Sequence, residues 1–394
     1  MKIPLLSWLF LLPICTLFAS FGIFVVSGQC LHDQQDLLIE LKNSLIFNST
    51  LSTKLVRWNE SADCCSWEGV TCSEGRVVGL NLDSELISGG LDNSGSLFHL
   101  QYLQNLSLAS NKLKTFPDFW RNQTILAILD LSDNQIHGQI PNWIWNLTNL
   151  NFLNLSYNSL EGPLPNLPYA LRVLDLHFNQ LHGQFPTPQS YLMHLDLSWN
   201  NFSFVLPASI GSSLICTFFL SLSSNNIHGH IPESICNATS LKFLDLSNNS
   251  LSGTILQCLF AHSSIEFLKL NRNNLTGKIS DTFSAYCSLV ALNLNRNLLE
   301  GVVPKSLANC TYLEVLDIGN NQIHDAFPCY LKDISSLCIL ILRSNNFYGS
   351  IGCEGPNATW LMLQIVDLSS NNFSGKLSII SFFNSKAMVV DNKI

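Results

Sequence analysis

From about residue 77 to residue 378 the chain repeats one arrangement of apolar and polar positions. The unit reads L-x-x-L-x-L-x-x-N-x-L-x-G-x-[I/L/F]-P. One copy is Leu126, Leu129, Leu131, Asn134, Ile136, Gly138, Ile140 and Pro141; another is Leu289, Leu292, Leu294, Asn297, Leu299, Gly301, Val303 and Pro304. The marker asparagine stands at 111, 134, 158, 179, 200, 225, 249, 273, 297, 321, 345 and 371, with gaps of 21 to 26 residues. An irregular thirteenth copy (Val77, Leu80, Leu82) comes first, with Glu85 in the asparagine place. A period of this length predicts stacked supersecondary units.

Each part of the unit has a mechanical task. L-x-L is a short strand whose two leucines point one way and whose middle residue points the other. The asparagine ends the strand, and its amide can pair main-chain groups that would otherwise be buried alone. Glycine permits a tight bend, and proline stops a ladder. No single copy can bury its leucine face, so copies must stack into an α/β repeat solenoid with a parallel sheet on its concave side. Phe204 and Asp325 replace the glycine, and Leu256, Ser280, Gly352 and Ser378 replace the proline. These departures predict altered local turns in an unaltered fold.

Composition narrows the classes. Of 394 residues, 47% are apolar and 12% charged, which excludes disorder. The net charge is −8 and no basic run occurs, so no nucleic-acid footprint is expected. No H-E-x-x-H, G-x-S-x-G, P-loop or kinase signature appears, and the acidic residues are scattered by the period. Neither an enzyme nor a cofactor is expected. Thirteen cysteines point to oxidising export. Residues 1–28 fit that: Met1-Lys2, an apolar stretch from Ile3 to Val26, then the small residues Ser27 and Gly28. This reads as a cleaved secretory signal peptide, with an uncleaved anchor as its rival. The signal peptide places the chain in the secretory pathway, outside the cell or at its surface, and at the plasma membrane if a full-length form or an uncleaved anchor exists; no later stretch is long enough to span a bilayer.

These repeats resemble the plant-type leucine-rich repeat, whose mark is the L-x-G-x-I-P extension after the asparagine. That resemblance implies a right-handed curved superhelix. Residues 29–76 resemble the cap that precedes such repeats, with a helical run (Leu37, Leu38, Leu41, Leu45), Trp58, the pair Cys64-Cys65, and Trp67, Gly69, Val70 and Cys72. The resemblance implies the pairings Cys30–Cys64 and Cys65–Cys72; four cysteines allow three pairings. A zinc site is the rival, but no histidine lies near this cluster.

Cys236 and Cys258 lie one repeat apart and are candidates for a bridge between adjacent coils, which needs their Cα atoms within about 7 Å. Cys287 and Cys310 share a repeat position and are expected as buried free thiols. Cys216, Cys329, Cys338 and Cys353 have no evident partner. His137, His182, His228 and His324 form a column three residues after marker asparagines, mostly not in neighbouring coils; no metal is expected there, and His228-Gly229-His230 is a weak pattern. N-x-[S/T] occurs at Asn48, Asn59, Asn105, Asn122, Asn146, Asn154, Asn201, Asn237, Asn248, Asn274, Asn309, Asn357 and Asn372. Behind a signal peptide these are candidate glycosylation sites. A glycan on Asn154, which faces the concave side, would block that stretch.

Positions around the strand leucines are free of core duty. Just before the marker asparagine, successive copies carry Tyr157, Phe178 and Trp199, and later ones Arg272 and Arg296. One residue before the second repeat leucine come Phe219, Phe243 and Phe267. Lys269 and Arg343 add positive charge to the inner face, and Asp175, Asp196 and Asp245 add negative charge. Aromatics and arginine are enriched at binding hot spots, although aromatic neighbours on adjacent strands also stabilise a ladder by about 0.2–1 kcal/mol per pair.

Signal peptide, paired-cysteine cap and repeats together resemble the extracellular part of plant receptor-like proteins, leucine-rich-repeat receptors without a kinase. The run Ser381 to Met388 resembles the segment leading to that family's non-repeat island. Residues 379–394 then read as a truncated tail, with island and membrane span absent. The resemblance implies non-catalytic recognition of an extracellular peptide, protein or glycan, in defence or development, with receptor kinases as partners. Two alternatives stand: a secreted inhibitor of a cell-wall-degrading enzyme, similar to polygalacturonase-inhibiting proteins, and a non-functional truncated product.

Overall fold

The first leucine of each L-x-L segment is the centre of a three-residue strand that starts one residue before it, as in Ile128–Asp130, Val173–Asp175 and Phe267–Lys269; the second leucine follows the strand. The computed structural model describes residues 28–91, 95–116, 123–186, 191–353 and 360–375; the signal peptide and the 379–394 tail lie outside them. A 14-stranded sheet runs from Val70–Ser73 to Ile365–Asp367. Its first pair is antiparallel, and every later strand pairs in parallel and in register with the strand one coil away. The result is the stacked solenoid that the period predicts.

Burial follows the alternation. From Leu106 to Leu340 the middle strand residue is 0–1% exposed in every coil, and one continuous core runs the length of the stack. Burying a leucine is worth about 1.5–3 kcal/mol, and each coil contributes several.

The marker asparagines perform their predicted task, and they do it across coils. Asn200 Nδ2 reaches the carbonyls of Leu197, Ser198 and, one coil back, Leu176 at 3.2, 3.1 and 3.0 Å. Its Oδ1 accepts from the Leu181 N–H at 2.9 Å. Asn134, Asn249 and Asn321 repeat this pattern. Each amide therefore satisfies buried backbone on two coils at once.

The residue before every marker asparagine has positive φ, from 51° at Tyr157 to 59° at Phe178. Seven of these twelve positions hold Ser, Asp or Asn, the small polar residues. Short side chains of the Asn and Asp kind accept this left-handed backbone; larger L-residues adopt it at a cost of roughly 1–2 kcal/mol. Tyr157, Phe178, Trp199, Arg272 and Arg296 are the other five.

Smaller parallel sheets line the side of the solenoid, with three, five and two strands. The three-stranded sheet ends at Gln180–Leu181, one coil before Phe204, and the five-stranded sheet ends at Gln322–Ile323, just before Asp325. Between these sheets, among the described residues, only the single bridges Val205–His228 and Ala326–Tyr348 remain. The glycine that Phe204 and Asp325 replace has φ of 77–104° in the coils that keep it, so its loss interrupts the lateral ladder there. Losing the proline at Leu256 or Ser280 interrupts nothing: the strands Ser250–Thr254, Asn274–Lys278 and Leu298–Gly301 stay paired. Ser378 lies outside the described residues.

The cap is a helix, His32–Ser44, that buries Leu38 and Leu41 against the first coil. Trp58 and Trp67 stack beside it with ring centroids 5.2 Å apart. Disulfides join Cys30 to Cys64 and Cys65 to Cys72. With those sulfurs bonded to one another, the thiolates that a zinc site needs are not there. Glu85 is fully buried at the joint between cap and repeats. Its carboxylate accepts from the Ser52 hydroxyl and from the N–H groups of Thr53, Lys54 and Leu55.

The remaining cysteines require a correction. Cys236–Cys258 is bridged, and so are Cys287–Cys310, expected as free thiols, and Cys329–Cys353, for which no partner was evident. Their separations of 22, 23 and 24 residues equal one coil, which brings the Cα atoms to 5.7, 4.7 and 5.4 Å. Cys216 and Cys338 are the free cysteines among the described residues.

Candidate functional site

Two aromatic columns run across the coils, one in the bends just after the strands and one in the strands of the large sheet. Tyr157, Phe178 and Trp199, on three consecutive coils, are 49, 48 and 55% exposed. Their rings are in contact nonetheless: Tyr157 stacks on Phe178 with centroids 5.0 Å apart, and Phe178 lies 5.7 Å from Trp199. The second column is more buried. Phe219 and Phe243 stack at 4.4 Å and 7°, and Phe267 follows at 5.8 Å. His194 extends this column by one coil, stacked on Phe219 at 4.0 Å and 6°. The alternation in the sequence gives its position before Leu195, but only the parallel register shows that it shares the phenylalanine column.

The two columns are therefore different things. Phe219 and Phe243 pack face to face and Phe267 follows tilted by 42°, all half-buried on adjacent strands, which is how cross-strand neighbours support a sheet. The strip at Tyr157, Phe178 and Trp199 lies open to solvent on a left-handed backbone that disfavours large residues.

Charge surrounds the strip. Arg272 and Arg296 occupy the same repeat position three and four coils beyond Trp199, both exposed and in no ion pair among the described residues. Lys269 Nζ lies 3.8 Å from Asp245 Oδ2 and 5.0 Å from the Phe243 ring centre, and burial lowers its pKa from the ordinary lysine value. Arg343 pairs with Asp367 at 3.4 Å. Beneath the strip, His177 meets the edge of Tyr157 at 4.6 Å and its Nδ1 lies 2.6 Å from Asp175 Oδ1. Burial opposes the charge on His177, but the hydrogen bond and charge of Asp175 outweigh it and raise the imidazole pKa. Burial and the neighbouring Asp175 push Asp196 up to about 7, and burial pushes His194 down to about 4.

The candidate glycosylation sites divide by exposure. Asn48, Asn59, Asn146, Asn201, Asn237, Asn248, Asn274, Asn309 and Asn372 are exposed; Asn105 and Asn154 are half-buried in strands, and Asn122 and Asn357 lie outside the described residues. Asn154 Nδ2, the atom a glycan would use, donates to Asp130 Oδ2 at 3.2 Å.

Comparison with known families agrees with this architecture. The leucine rich repeat N-terminal domain model matches residues 31–73, and leucine rich repeat models match residues 101–160, 191–213, 218–238, 240–261 and 287–347. The chain belongs to the leucine-rich-repeat family. Among curated relatives, this leucine-rich-repeat chain is 37% identical to Receptor-like protein 50 of Arabidopsis thaliana over 139 residues, 32% of the chain and 16% of the relative. It is 39% identical to Receptor-like protein 7 of the same plant over 132 residues, 32% of the chain and 13% of the relative. Each match thus spans about a sixth or less of the relative's length. Among solved structures, PEPR1–AtPEP1 is similar over 88% of this chain and 53% of that one, with TM-score 0.69 and 30% identity. The Arabidopsis receptor kinase HAESA, in complex with the peptide hormone IDA and the co-receptor SERK1, is similar over 88% and 67%, with TM-score 0.70 and 26% identity. No helix among the described residues is long and apolar enough to cross a membrane.

Proposed function

We propose that this leucine-rich-repeat chain is the extracellular, non-catalytic ligand-recognition part of a plant receptor-like protein. Its ligand is a peptide lying across the concave face. The observation that carries this reading is the strip of Tyr157, Phe178 and Trp199: three large aromatic rings, half exposed, on backbone that favours small residues. Residues held in a disfavoured conformation without being buried are candidates for function. Likeness to the receptor kinase HAESA, solved with the peptide hormone IDA, supports the same reading.

The spacing defines the ligand. Coils about 4.8 Å apart put Arg272 roughly 14 Å from Trp199, the reach of about four extended residues. A peptide with an apolar segment on the strip and an acidic end on Arg272 and Arg296 fits both. Signalling in defence or development would then pass through receptor kinases, since the strip offers binding and no chemistry.

The reading is tested by panning a displayed random-peptide library on the purified chain and on a Tyr157→Ser, Phe178→Ser, Trp199→Ser variant. Peptides combining apolar and acidic residues should enrich on the native surface and be lost on the variant. Equal enrichment on both would place recognition elsewhere.

A further inference from the structure

The inner column of the sheet carries acidic residues at 130, 175, 196, 245, 317 and 367. In this register Asp130 lies between Ser107 and Asn154, and Asp245 between Ser221 and Lys269. Asp317 lies between Asn293 and Ile341, and Asp367 lies beside Ile341. Asp175 and Asp196 alone among the described strands face each other directly. Like charges directly opposite destabilise a sheet, so this pair needs a positive charge. Lysine and arginine, which serve Asp245 and Asp367, do not occur beside it.

What does occur there is His177. Two residues after the column aspartate the repeat has serine at 132, 198, 247 and 369, each donating its hydroxyl to the preceding carboxylate. Only after Asp175 is this serine replaced by histidine. One ligating atom each from Asp175, His177 and Asp196 lies within 4.8 Å of the others. The side chains of His177 and Asp175 keep 23% and 16% of their exposure, so the cluster opens to the concave face. Among the described residues, Asp175 Oδ2, His177 Nε2 and Asp196 Oδ2 have no hydrogen-bond partner.

We propose that Asp175, His177 and Asp196 form a divalent metal site, suited to Zn²⁺, on the concave face beside the aromatic strip. Two carboxylates and one imidazole are a donor set that zinc accepts, and three protein ligands leave a fourth position open to water or to a ligand donor. The ion would set its charge between the opposed aspartates, where His177, paired with Asp175, is the one basic side chain of the cluster. The histidine column at 137, 182, 228 and 324 contributes nothing to this site, because His177 lies two residues before its marker asparagine rather than three after.

The probe is zinc alone, titrated into the whole metal-free purified chain by calorimetry near neutral pH. One saturable site is expected. His177→Ser restores the residue used by other coils, so the variant should fold, and its zinc affinity should fall at least tenfold. Asp196→Asn should do the same. Trp199→Ala should bind zinc like the native chain, which separates this site from the peptide reading. Absence of saturable binding, or native affinity in folded His177→Ser, overturns the proposal.

Discussion

Glu85, in the first coil, accepts a hydrogen bond from the hydroxyl of Ser52, in the cap, and the two side chains are buried together at the joint. The carboxylate also takes the N–H groups of Thr53, Lys54 and Leu55, so one side chain ends the cap's last turns. Hydrogen bonds to charged groups contribute about 1.5–3 kcal/mol. Glu85→Ala should destabilise the chain by about 3 kcal/mol in denaturant titrations, and Glu85→Gln by less.

The same residue sets a pH response. Burial would raise its pKa, but the hydrogen bonds from Ser52 and the backbone outweigh burial and hold it below the usual 4.5. A depressed folded pKa stabilises above the ordinary carboxylate range, and that stability is lost as pH falls through the folded value. Between about pH 7 and about pH 3 the native chain should therefore lose more stability than Glu85→Gln. Parallel curves would contradict the assignment.

Asn200 tests the cross-coil amides. Asn200→Ala strands the Leu181 N–H and three carbonyls, and should cost about 3 kcal/mol. Asn201→Ala, one residue on at an exposed position, should stay within about 0.5 kcal/mol of native. Equal losses in thermal melts would mean that the buried amide has no special part.

Cys287 and Cys310 close a 23-residue separation. Replacing both with alanine should cost about 3 kcal/mol. Non-reducing peptide mapping should recover this pair together with Cys329–Cys353; free thiols at these positions would refute the bridges.

The period made the stack, its strand positions and its core legible in advance, because each leucine repeats its neighbour's environment. The cysteines show where reading by type fell short. Cys287 and Cys310 looked like small apolar residues, but a separation of one period is itself a contact in a solenoid. The site was legible in part. Tyr157, Phe178 and Trp199 stand in one sequence column and do form one surface. Their left-handed backbone, His194 beside Phe219, and the opposition of Asp175 to Asp196 all depend on register, which no single copy contains.

The central claim is that the exposed strip exists for recognition rather than for the fold, and Phe178→Gly tests it most directly. Glycine accepts the φ of 59° freely, so the variant should be as stable as the native chain or gain up to about 1 kcal/mol. Its affinity for peptides selected on the native concave face should fall at least tenfold, the loss expected of a hot-spot residue. A variant that is destabilised yet binds those peptides with native affinity would show the strip to be structural and contradict the account.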